Sequence, residues 1–310
     1  MPEQLSPIKL GPITIGPALA YVMLVTTVLG WASGLVVGRG IHETIPPIGA
    51  SFWRWTIVAI CLIPLAAPKL KSELPLILSA WKQLAAMGFF MIGASTISLV
   101  AVNFTTATNA SLVNATQPTT TVLAAWLVLK IKLTKIQTAG IIAAAIGILI
   151  MISRADFQVL ANLEFNKGDL IFGVAVFGYA FYATTLQQLP RGISLSCIMF
   201  AVTIFGSLQV LPFYTAESII YMPVTFSWKV AIALLFLSVM TSLIPVYLWN
   251  AANRVVGVNR SGIFVNLLPV FGAIMAILFL EEQLFAYHVL GAVFVCSGIL
   301  FMVKGHREPS

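Results

Sequence analysis

Charged residues are scarce in this sequence, and their scarcity excludes a soluble fold. Only 9% of the 310 residues are charged, whereas 59% are hydrophobic and the mean hydropathy is +0.99. Soluble domains carry about 25% charged residues, and a soluble chain of this length could not bury so much apolar surface. Lipid must therefore solvate much of the chain, which makes membrane lipid an expected partner.

Cysteine and catalytic motifs are scarce too. The three cysteines, Cys61, Cys197 and Cys296, lie in apolar runs at spacings that fit no metal site or disulfide framework. The sequence has no phosphate-binding Gly-x-x-x-x-Gly-Lys-Ser/Thr loop, no Gly-x-Ser-x-Gly elbow and no His-Glu-x-x-His motif. We therefore expect no cofactor, no metal, no built-in ATPase and no enzymatic activity.

Long apolar runs are what the sequence has instead. A membrane-spanning helix needs about 20 mostly apolar residues, and ten windows of that kind follow one another along the chain. The predicted spans are 18–38, 47–67, 83–103, 109–129, 134–153, 168–187, 192–212, 228–250, 260–280 and 285–304. The predicted fold class is an all-α membrane protein with ten transmembrane helices.

The distribution of basic residues predicts the orientation. With the N-terminus inside, twelve of the 17 Lys and Arg residues fall in inner segments and four in outer ones, as expected when basic loops stay in the cytoplasm. We therefore expect a multi-pass protein of a bacterial inner (plasma) membrane with both termini cytoplasmic. The same loops explain the net charge of +7, so no nucleic-acid partner is expected.

An internal repeat divides the chain. Shifting it by 151 residues places segment 109–152 on segment 260–303 without a gap. Ten positions are identical, among them Pro118 with Pro269, Gly140 with Gly291 and Gly147 with Gly298. The repeat predicts two five-helix halves, residues 1–153 and 168–304, joined by the loop 154–167.

Five helices per half is an odd number, so the second half should enter the membrane from the opposite side to the first. Inverted repeats of this kind are typical of alternating-access transporters, in which the substrate site lies between the repeats near the bilayer midplane. The repeat therefore predicts a central cavity enclosed by two inverted five-helix units.

Three segments carry a resemblance to a known family. They are 30–33 (Gly-Trp-Ala-Ser), 52–55 (Phe-Trp-Arg-Trp), and the repeated unit 109–147 with its counterpart 260–298. With ten spans and a five-plus-five repeat, the chain resembles the EamA-type members of the drug/metabolite transporter superfamily. The resemblance implies a ten-helix bundle with a central cavity and export of amino acids, other metabolites or drugs.

Arg54 is the charged residue that lies well inside a predicted span. An arginine at that depth costs at least about 2.5–3.5 kcal/mol on insertion scales, so it should face the bundle interior or a wet cavity. One interpretation is a counter-charge for a carboxylate or phosphate on the substrate. The other is a structural arginine that bonds backbone carbonyls or extends towards the membrane surface.

Pro118 and Pro269 occupy equivalent positions near the middle of the fourth and ninth spans, and we predict hinges there because proline bends a helix. Asn114 and Gln117, which are three residues apart and should share a helix face, lie beside the first proline, and Asn266 lies beside the second. Paired breaks of this kind indicate a midplane substrate site. Alternatively, the prolines are only tolerated, and nearby Ser and Thr satisfy the freed carbonyls.

Five aromatic residues are candidate lining residues of the cavity: Trp31, Tyr179, Tyr182, Tyr247 and Trp249. Trp31 falls on Tyr179 when the chain is shifted by 148 residues. The alternative is that these rings form an interfacial belt or pack between helices.

Acidic residues and histidine are absent from the middle of every predicted span. Asp169 stands at a helix start and His288 at a span end. Proton relays usually use such groups within the membrane, so the sequence does not predict a buried carboxylate proton site.

We expect a secondary active or facilitative transporter that exports a small-molecule substrate, with amino acids or their derivatives as the first candidates and drugs as further ones. The alternative is a channel or a non-transporting membrane scaffold. A channel would need a polar lining that continues across the bilayer, whereas a transporter needs only a central polar patch. No feature of the sequence fixes an oligomeric state.

Overall fold

The chain is almost entirely helical. The computed structural model describes residues 8–10, 13–130, 134–156, 166–186, 188–190, 192–256 and 264–305. A short antiparallel hairpin of β1 (Ile8–Leu10) and β2 (Ile13–Ile15) precedes the helices. The helices are α1 (Pro17–Gly40), α2 (Pro47–Ser79), α3 (Trp81–Ala101), α4 (Ala107–Asn114), α5 (Gln117–Leu129), α6 (Lys135–Ile152), α7 (Lys167–Leu186), α8 (Leu195–Ile220), α9 (Trp228–Ser238), α10 (Ile244–Val256), α11 (Leu268–Leu280) and α12 (Ala286–Gly305).

Six helical segments in the described ranges are long and apolar enough to cross a bilayer, judged by length and composition. They are Pro17–Gly40, Pro47–Ser79, Trp81–Ala101, Lys167–Leu186, Leu195–Ile220 and Trp228–Ala252. Three shorter apolar helices are Lys135–Met151, Val265–Leu280 and Ala286–Gly298. Each of these segments overlaps one predicted window, and the remaining window, 109–129, holds α4 and α5. The count of ten spans stays a prediction.

Parts of several predicted segments lie outside the described residues. They are residues 157–165 of the connecting loop, residues 131–133 of the first repeat segment, residues 260–263 of the second repeat segment, and residue 187 at the end of the sixth predicted span.

The fourth predicted span consists of two helices rather than one. α4 ends at Asn114, and α5 begins at Gln117 after the turn at 115–116. Pro118 lies in the first turn of α5, where its missing N–H is not needed. The spacing argument that put Asn114 and Gln117 on one helix face assumed a continuous helix, and that assumption is wrong.

The second half contains a corresponding break. A 3-10 turn, Val265–Leu267, contains Asn266 and precedes α11, whose first turn holds Pro269. Both α5 and α11 then end on a residue with left-handed backbone, Lys130 (φ 57°) and Glu281 (φ 56°). These two residues are 151 positions apart, which is the shift of the sequence repeat. The opposite direction of the two halves stays a prediction.

The helices that follow these turns also begin alike. At the start of α6, the N–H of Thr134 donates to the Gln137 side-chain oxygen over 2.9 Å. At the start of α12, the N–H of Phe285 donates to Nδ1 of His288 over 2.9 Å. In both cases a side chain three residues into the helix satisfies a backbone donor that the helix leaves free.

The eighth predicted span contains a π-helical turn, Val239–Leu243, between α9 and α10. Within it, the Ser242 hydroxyl donates to the Leu237 carbonyl over 2.9 Å. α1 packs tightly on this turn, because a Cβ on Gly30 would lie 2.7 Å from the Met240 carbonyl oxygen. Such single π-turns inside α-helices frequently occur at functional sites.

Carboxylates connect α2 and α8 at both ends of this helix pair. Glu217 of α8 accepts the N–H groups of Ile48 and Gly49 at the start of α2, over 3.1 and 2.6 Å. Glu73 of α2 accepts the N–H and O–H of Ser194 just before α8, over 2.8 and 2.9 Å. Each helix therefore places a negative charge at the partially positive N-terminus of the other.

Glycine permits the close packing of α6 and α12. A Cβ on Gly147 would lie 2.8 Å from the Gly291 carbonyl oxygen, and a Cβ on Gly298 would lie 2.7 Å from that of Gly140. Small residues let two membrane helices approach until their backbones touch. The glycines that match in the sequence repeat therefore meet at one helix interface.

We predict that Gly298→Ala destabilises the fold, because the new Cβ would overlap the backbone of α6. Overpacking of this kind costs about 1–3 kcal/mol, so the thermal unfolding midpoint of the detergent-solubilised protein should fall. The matched control is Gly93→Ala in α3, where a Cβ would meet nothing within 4 Å. Equal midpoints for the two variants would contradict the packing argument.

Candidate functional site

Arg54 of α2 reaches the π-helical turn, where its side chain bonds to a hydroxyl and approaches a backbone carbonyl. Its Nε donates to the Ser242 hydroxyl over 2.7 Å, and its Nη2 lies 3.5 Å from the Thr241 carbonyl oxygen. The guanidinium carbon also lies 5.3 Å from the centre of the Trp55 ring. No carboxylate of the described residues forms an ion pair with Arg54.

The π-helical turn and the residue before it contact both the side chain and the backbone of Arg54. Ser242 receives the Nε bond, and the Ser238 hydroxyl donates to the Arg54 backbone carbonyl over 3.0 Å. A π-turn shifts the following residues around the helix axis, so the hydroxyls in and before the turn point at the same arginine.

Tyr179 belongs to the surroundings of Arg54. Its hydroxyl lies 3.4 Å from that of Ser98, and Tyr179 is a neighbour of the Arg54 guanidinium. Ser95, one helical turn before Ser98, accepts the Trp55 indole N–H over 3.0 Å. α3 thus contributes two hydroxyls to the same polar cluster, and two predicted residues, Arg54 and Tyr179, are brought together.

The other predicted aromatic residues lie against apolar neighbours. The Tyr182 hydroxyl approaches the Met199 sulfur at 3.9 Å, and Tyr182 and Tyr247 pack against the same hydrophobic cluster. Trp31 pairs with Trp249 of α10 at a ring-centre distance of 5.3 Å. These rings are half-buried, so they contact other helices and remain partly accessible.

Several buried polar atoms have no hydrogen-bond partner among the described residues, and three of them belong to predicted site residues. These are Asn114 Oδ1, Asn266 Oδ1 and the Tyr247 hydroxyl oxygen. The others belong to Thr119, Ser207, Gln209 and Ser218. Buried polar atoms are normally paired, so these atoms are free to accept a hydrogen bond from a ligand or an ordered water.

Asn114 and Asn266 lie beside the two matching helix breaks, four residues before Pro118 and three residues before Pro269 respectively. Asn114 is the last residue of α4, and Asn266 is the middle residue of the 3-10 turn before α11. α4 and α11 touch closely, since a Cβ on Gly272 would lie 2.5 Å from the Ser111 Cβ. The two helices that adjoin the breaks, α4 and α11, are therefore in direct contact.

Gln117 and Pro118 lie in the first turn of α5, and Gln117 bonds to residues of the same helix. The Gln117 carbonyl oxygen accepts the Thr120 and Thr121 hydroxyls over 3.0 and 2.8 Å. Threonines thus satisfy the carbonyls near the first proline, as the alternative interpretation of the prolines expects. Whether Pro118 and Pro269 act as hinges stays a prediction.

Sequence reasoning missed the serines that surround Arg54. Ser238 and Ser242 precede Pro245, and Ser95 and Ser98 interrupt the apolar run of α3. Clustered hydroxyls inside two apolar spans were the signal for them, but the period of a regular α-helix could not show that a π-turn aligns them. Among the described residues, no group of three or more His, Cys, Asp or Glu could hold a metal ion.

The fold and the site together define a multi-pass helical membrane protein with a polar site in its interior. Large apolar side chains cover its outer surface, with Ile219 and Trp228 85% and 80% exposed. Residues 18–153 and 166–304 match the EamA-like transporter family. The chain belongs to this family and is a membrane transporter.

Curated relatives are named as transporters or efflux pumps. The "Uncharacterized transporter YyaM" of Bacillus subtilis (strain 168) is 27% identical over 260 residues, 82% of this chain and 83% of that protein. The "Uncharacterized transporter YetK" of the same organism is 26% identical over 299 residues, 94% of this chain and 88% of that protein. The "Probable amino-acid metabolite efflux pump" of Escherichia coli (strain K12) is 25% identical over 297 residues, 92% of this chain and 95% of that protein.

A solved crystal structure has a similar fold. It superposes with a TM-score of 0.56 at 15% identity and covers 92% of this chain and 96% of that one. At this identity the likeness concerns the fold alone.

We predict that Asn114→Leu leaves the unfolding midpoint unchanged or raises it, because an unpaired buried polar atom contributes nothing favourable to stability. The matched control is Asn103→Leu. Asn103 Nδ2 donates to the carbonyls of Leu99 and Val100 over 2.8 and 3.3 Å, and losing such bonds costs about 1 kcal/mol. A larger loss of stability in Asn114→Leu than in Asn103→Leu would show that Asn114 is a structural residue.

Proposed function

We propose that the protein is a secondary active or facilitative exporter of small metabolites that carry a carboxylate, with amino acids and their derivatives as the leading substrates. The observation that carries this proposal is the guanidinium of Arg54, which lies in the bundle interior without a carboxylate partner among the described residues. A cation at that depth without a counter-charge is costly. The carboxylate of a bound substrate offsets that cost and binds the guanidinium with directional hydrogen bonds.

The geometry of Arg54 leaves room for such a ligand. Ser242 occupies only Nε, the Thr241 carbonyl is at 3.5 Å from Nη2, and Nη1 has no hydrogen-bond partner among the described residues. The terminal nitrogens of arginine form a planar fork that fits the two oxygens of a carboxylate. The local contacts therefore orient the side chain without saturating its fork.

The unpaired amide oxygens suit the other end of an amino acid. Asn114 Oδ1 and Asn266 Oδ1 are acceptors, and an ammonium group has only donors to offer. Trp31, Tyr179, Tyr182 and Tyr247 would contact the apolar part of the substrate. The name of the Escherichia coli relative, an amino-acid metabolite efflux pump, supports the same substrate class.

Alternating access between two inverted five-helix repeats is the mechanism we propose. The paired breaks before Pro118 and Pro269 and the paired left-handed residues Lys130 and Glu281 support two equivalent units. In this proposal ten spans cross the inner membrane, both termini are cytoplasmic, and the central site opens to one side at a time.

Arg54→Lys is expected to weaken transport of carboxylate-bearing compounds, because lysine keeps the charge and loses the fork. Cells that overexpress the chain are first screened for compounds that become less toxic and accumulate less. Counterflow of the compounds found is then measured in proteoliposomes, and the apparent affinity of Arg54→Lys should fall about tenfold, the equivalent of one lost charge-assisted hydrogen bond.

Arg39→Lys is the matched control. Arg39 Nη1 donates to the backbone carbonyls of Val102 and Asn103 over 2.7 and 3.2 Å. This arginine therefore has a structural role, because it connects α1 to the end of α3. Its variant should keep the wild-type affinity. Equal affinities for Arg54→Lys and wild type would exclude the carboxylate anchor, and flux without saturation or counterflow would indicate a channel.

The inverted topology predicts that Thr134 and Phe285, which match at a shift of 151 residues, face opposite sides of the membrane. Single cysteines at these two positions, in a background without Cys61, Cys197 and Cys296, are treated with a membrane-impermeant maleimide in intact cells. We expect labelling at position 285 and protection at position 134 until the cells are opened. Labelling of both positions from the same side would refute the inverted repeat.

A further inference from the structure

A carboxylate is buried at one end of the bundle, away from the cluster around Arg54. Asp169, the third residue of α7, is 1% exposed. It accepts a hydrogen bond from the Thr105 hydroxyl and another from Asn109 Nδ2, the latter over 3.0 Å. No described cationic nitrogen lies within 4 Å of it. Asp169 is thus a buried acid whose direct partners are neutral.

A chain of hydrogen bonds continues from Asp169 to a histidine. Asn109 Oδ1 lies 2.8 Å from Nε2 of His288, which is 3% exposed. His288 Nδ1 accepts the Phe285 backbone N–H, so the ring hydrogen is on Nε2 and the ring is neutral. Donation therefore runs in one direction, from His288 to Asn109 and from Asn109 to Asp169.

This chain connects the two halves of the protein. Thr105 and Asn109 belong to the first half, whereas Asp169 and His288 belong to the second. Glu282 of the second half adds to the connection, because it accepts the N–H groups of Ala107 and Thr108 over 2.8 and 3.0 Å and the Thr108 hydroxyl over 2.8 Å. The first turn of α4 is thus held by acceptors from the opposite half.

Other ionisable groups surround the chain at a greater distance. Arg154 and Tyr287 are neighbours of Asp169, and Glu282 is a neighbour of His288. The same end of the bundle also carries Arg39, Asp156, Lys167 and Glu281. Among the helices packed on α7 and α12, α4 and α5 have no ionisable side chain, and α3 and α6 have only Lys82 and Lys135 at their other ends.

We propose that Asp169 is a proton-binding site, that Asn109 and His288 form its hydrogen-bonded extension, and that the proton is the coupling ion of this transporter. The coupling part rests on the proposed transport function. A proton from hydronium in the solvent adds to the carboxylate and gives a neutral carboxylic acid; one O–H bond of hydronium breaks, water is released, and no other covalent bond changes. The new O–H turns one acceptor oxygen into a donor, so the Asn109 amide is displaced or the Thr105 hydroxyl must turn to accept. The hydrogen bonds that remain lose the charge of the carboxylate and become weaker.

The displacement has a structural consequence. Thr105 and Asn109 flank the start of α4, and in the charged state both are bound to the start of α7 through Asp169. Protonation weakens this connection between the halves at one end of the bundle, whereas loss of the proton restores it. Proton binding can thereby bias which end of the protein is closed, as coupling to alternating access requires.

The proton site is tested without any transport substrate. The purified full-length protein in detergent is treated with dicyclohexylcarbodiimide, which reacts with protonated carboxyl groups in apolar surroundings, and the adduct is located by peptide mass spectrometry. We expect an adduct at Asp169 whose rate of formation falls with rising pH, by about tenfold per pH unit once the carboxyl group is mostly ionised. Asp169→Asn should remove this adduct, and Glu282→Gln, which neutralises the neighbouring acid, should retain it.

Because the adduct is mapped in the wild-type protein, the result does not depend on whether a variant folds. Absence of an adduct at Asp169, or a labelling rate that is independent of pH, would overturn the assignment of the proton site.

Coupling is tested in proteoliposomes that contain a trapped pH-sensitive dye. A mixture of the twenty standard L-amino acids is the probe, and wild type should move protons when the probe is added. Asp169→Asn should lose this proton movement and keep counterflow exchange. Wild-type counterflow without proton movement would overturn coupling and leave the transport function intact. Absence of counterflow would instead refute the proposed substrate class, and the labelling result would still decide the proton site.

Discussion

Every polar group inside a bilayer must find its partner within the protein, because lipid offers none. This constraint explains where most polar side chains of this chain lie. Hydroxyls within the helices, such as those of Thr27 and Thr96, bond to the carbonyl four residues earlier. Glu73, Glu217 and Glu282 each occupy the N-terminus of a helix from the opposite half, where free N–H groups need acceptors. Polar residues thus serve as connections between helices.

The exceptions to this rule identify the interior of the transporter. Arg54 has no counter-charge among the described residues, and Asn114, Asn266 and Tyr247 retain buried atoms without a partner. These residues lie on or next to interrupted helices: the break after α4, the 3-10 turn before α11, and the π-helical turn that Arg54 reaches. Interrupted helices free backbone groups and redirect side chains, which is how membrane transporters build polar sites within apolar spans.

Two polar regions with different chemistry therefore coexist in one bundle. The region around Arg54 combines a cation with serine and tyrosine hydroxyls, which suits an anionic group of a ligand. The region around Asp169 combines a carboxylate, an amide and an imidazole in one chain of hydrogen bonds, which suits a proton. α7 carries residues of both regions, since Asp169 lies in its first turn and Tyr179 in its middle. A displacement of this one helix would affect the two regions together.

The sequence by itself determined the membrane class, the positions of most helices and the repeat. The length of the apolar runs and the match of Pro118 with Pro269 are properties of the chain itself, so they can be read without a structure. It also identified Arg54, because a charge in an apolar run is conspicuous.

Tertiary structure alone decided the partners: a π-turn aligned Ser238 and Ser242 on Arg54, and a break separated Asn114 from Gln117. Asp169 and His288 stand at helix ends in the sequence, yet packing against α4 buries both. Burial and pairing depend on residues far apart in the chain, and no local pattern contains that information.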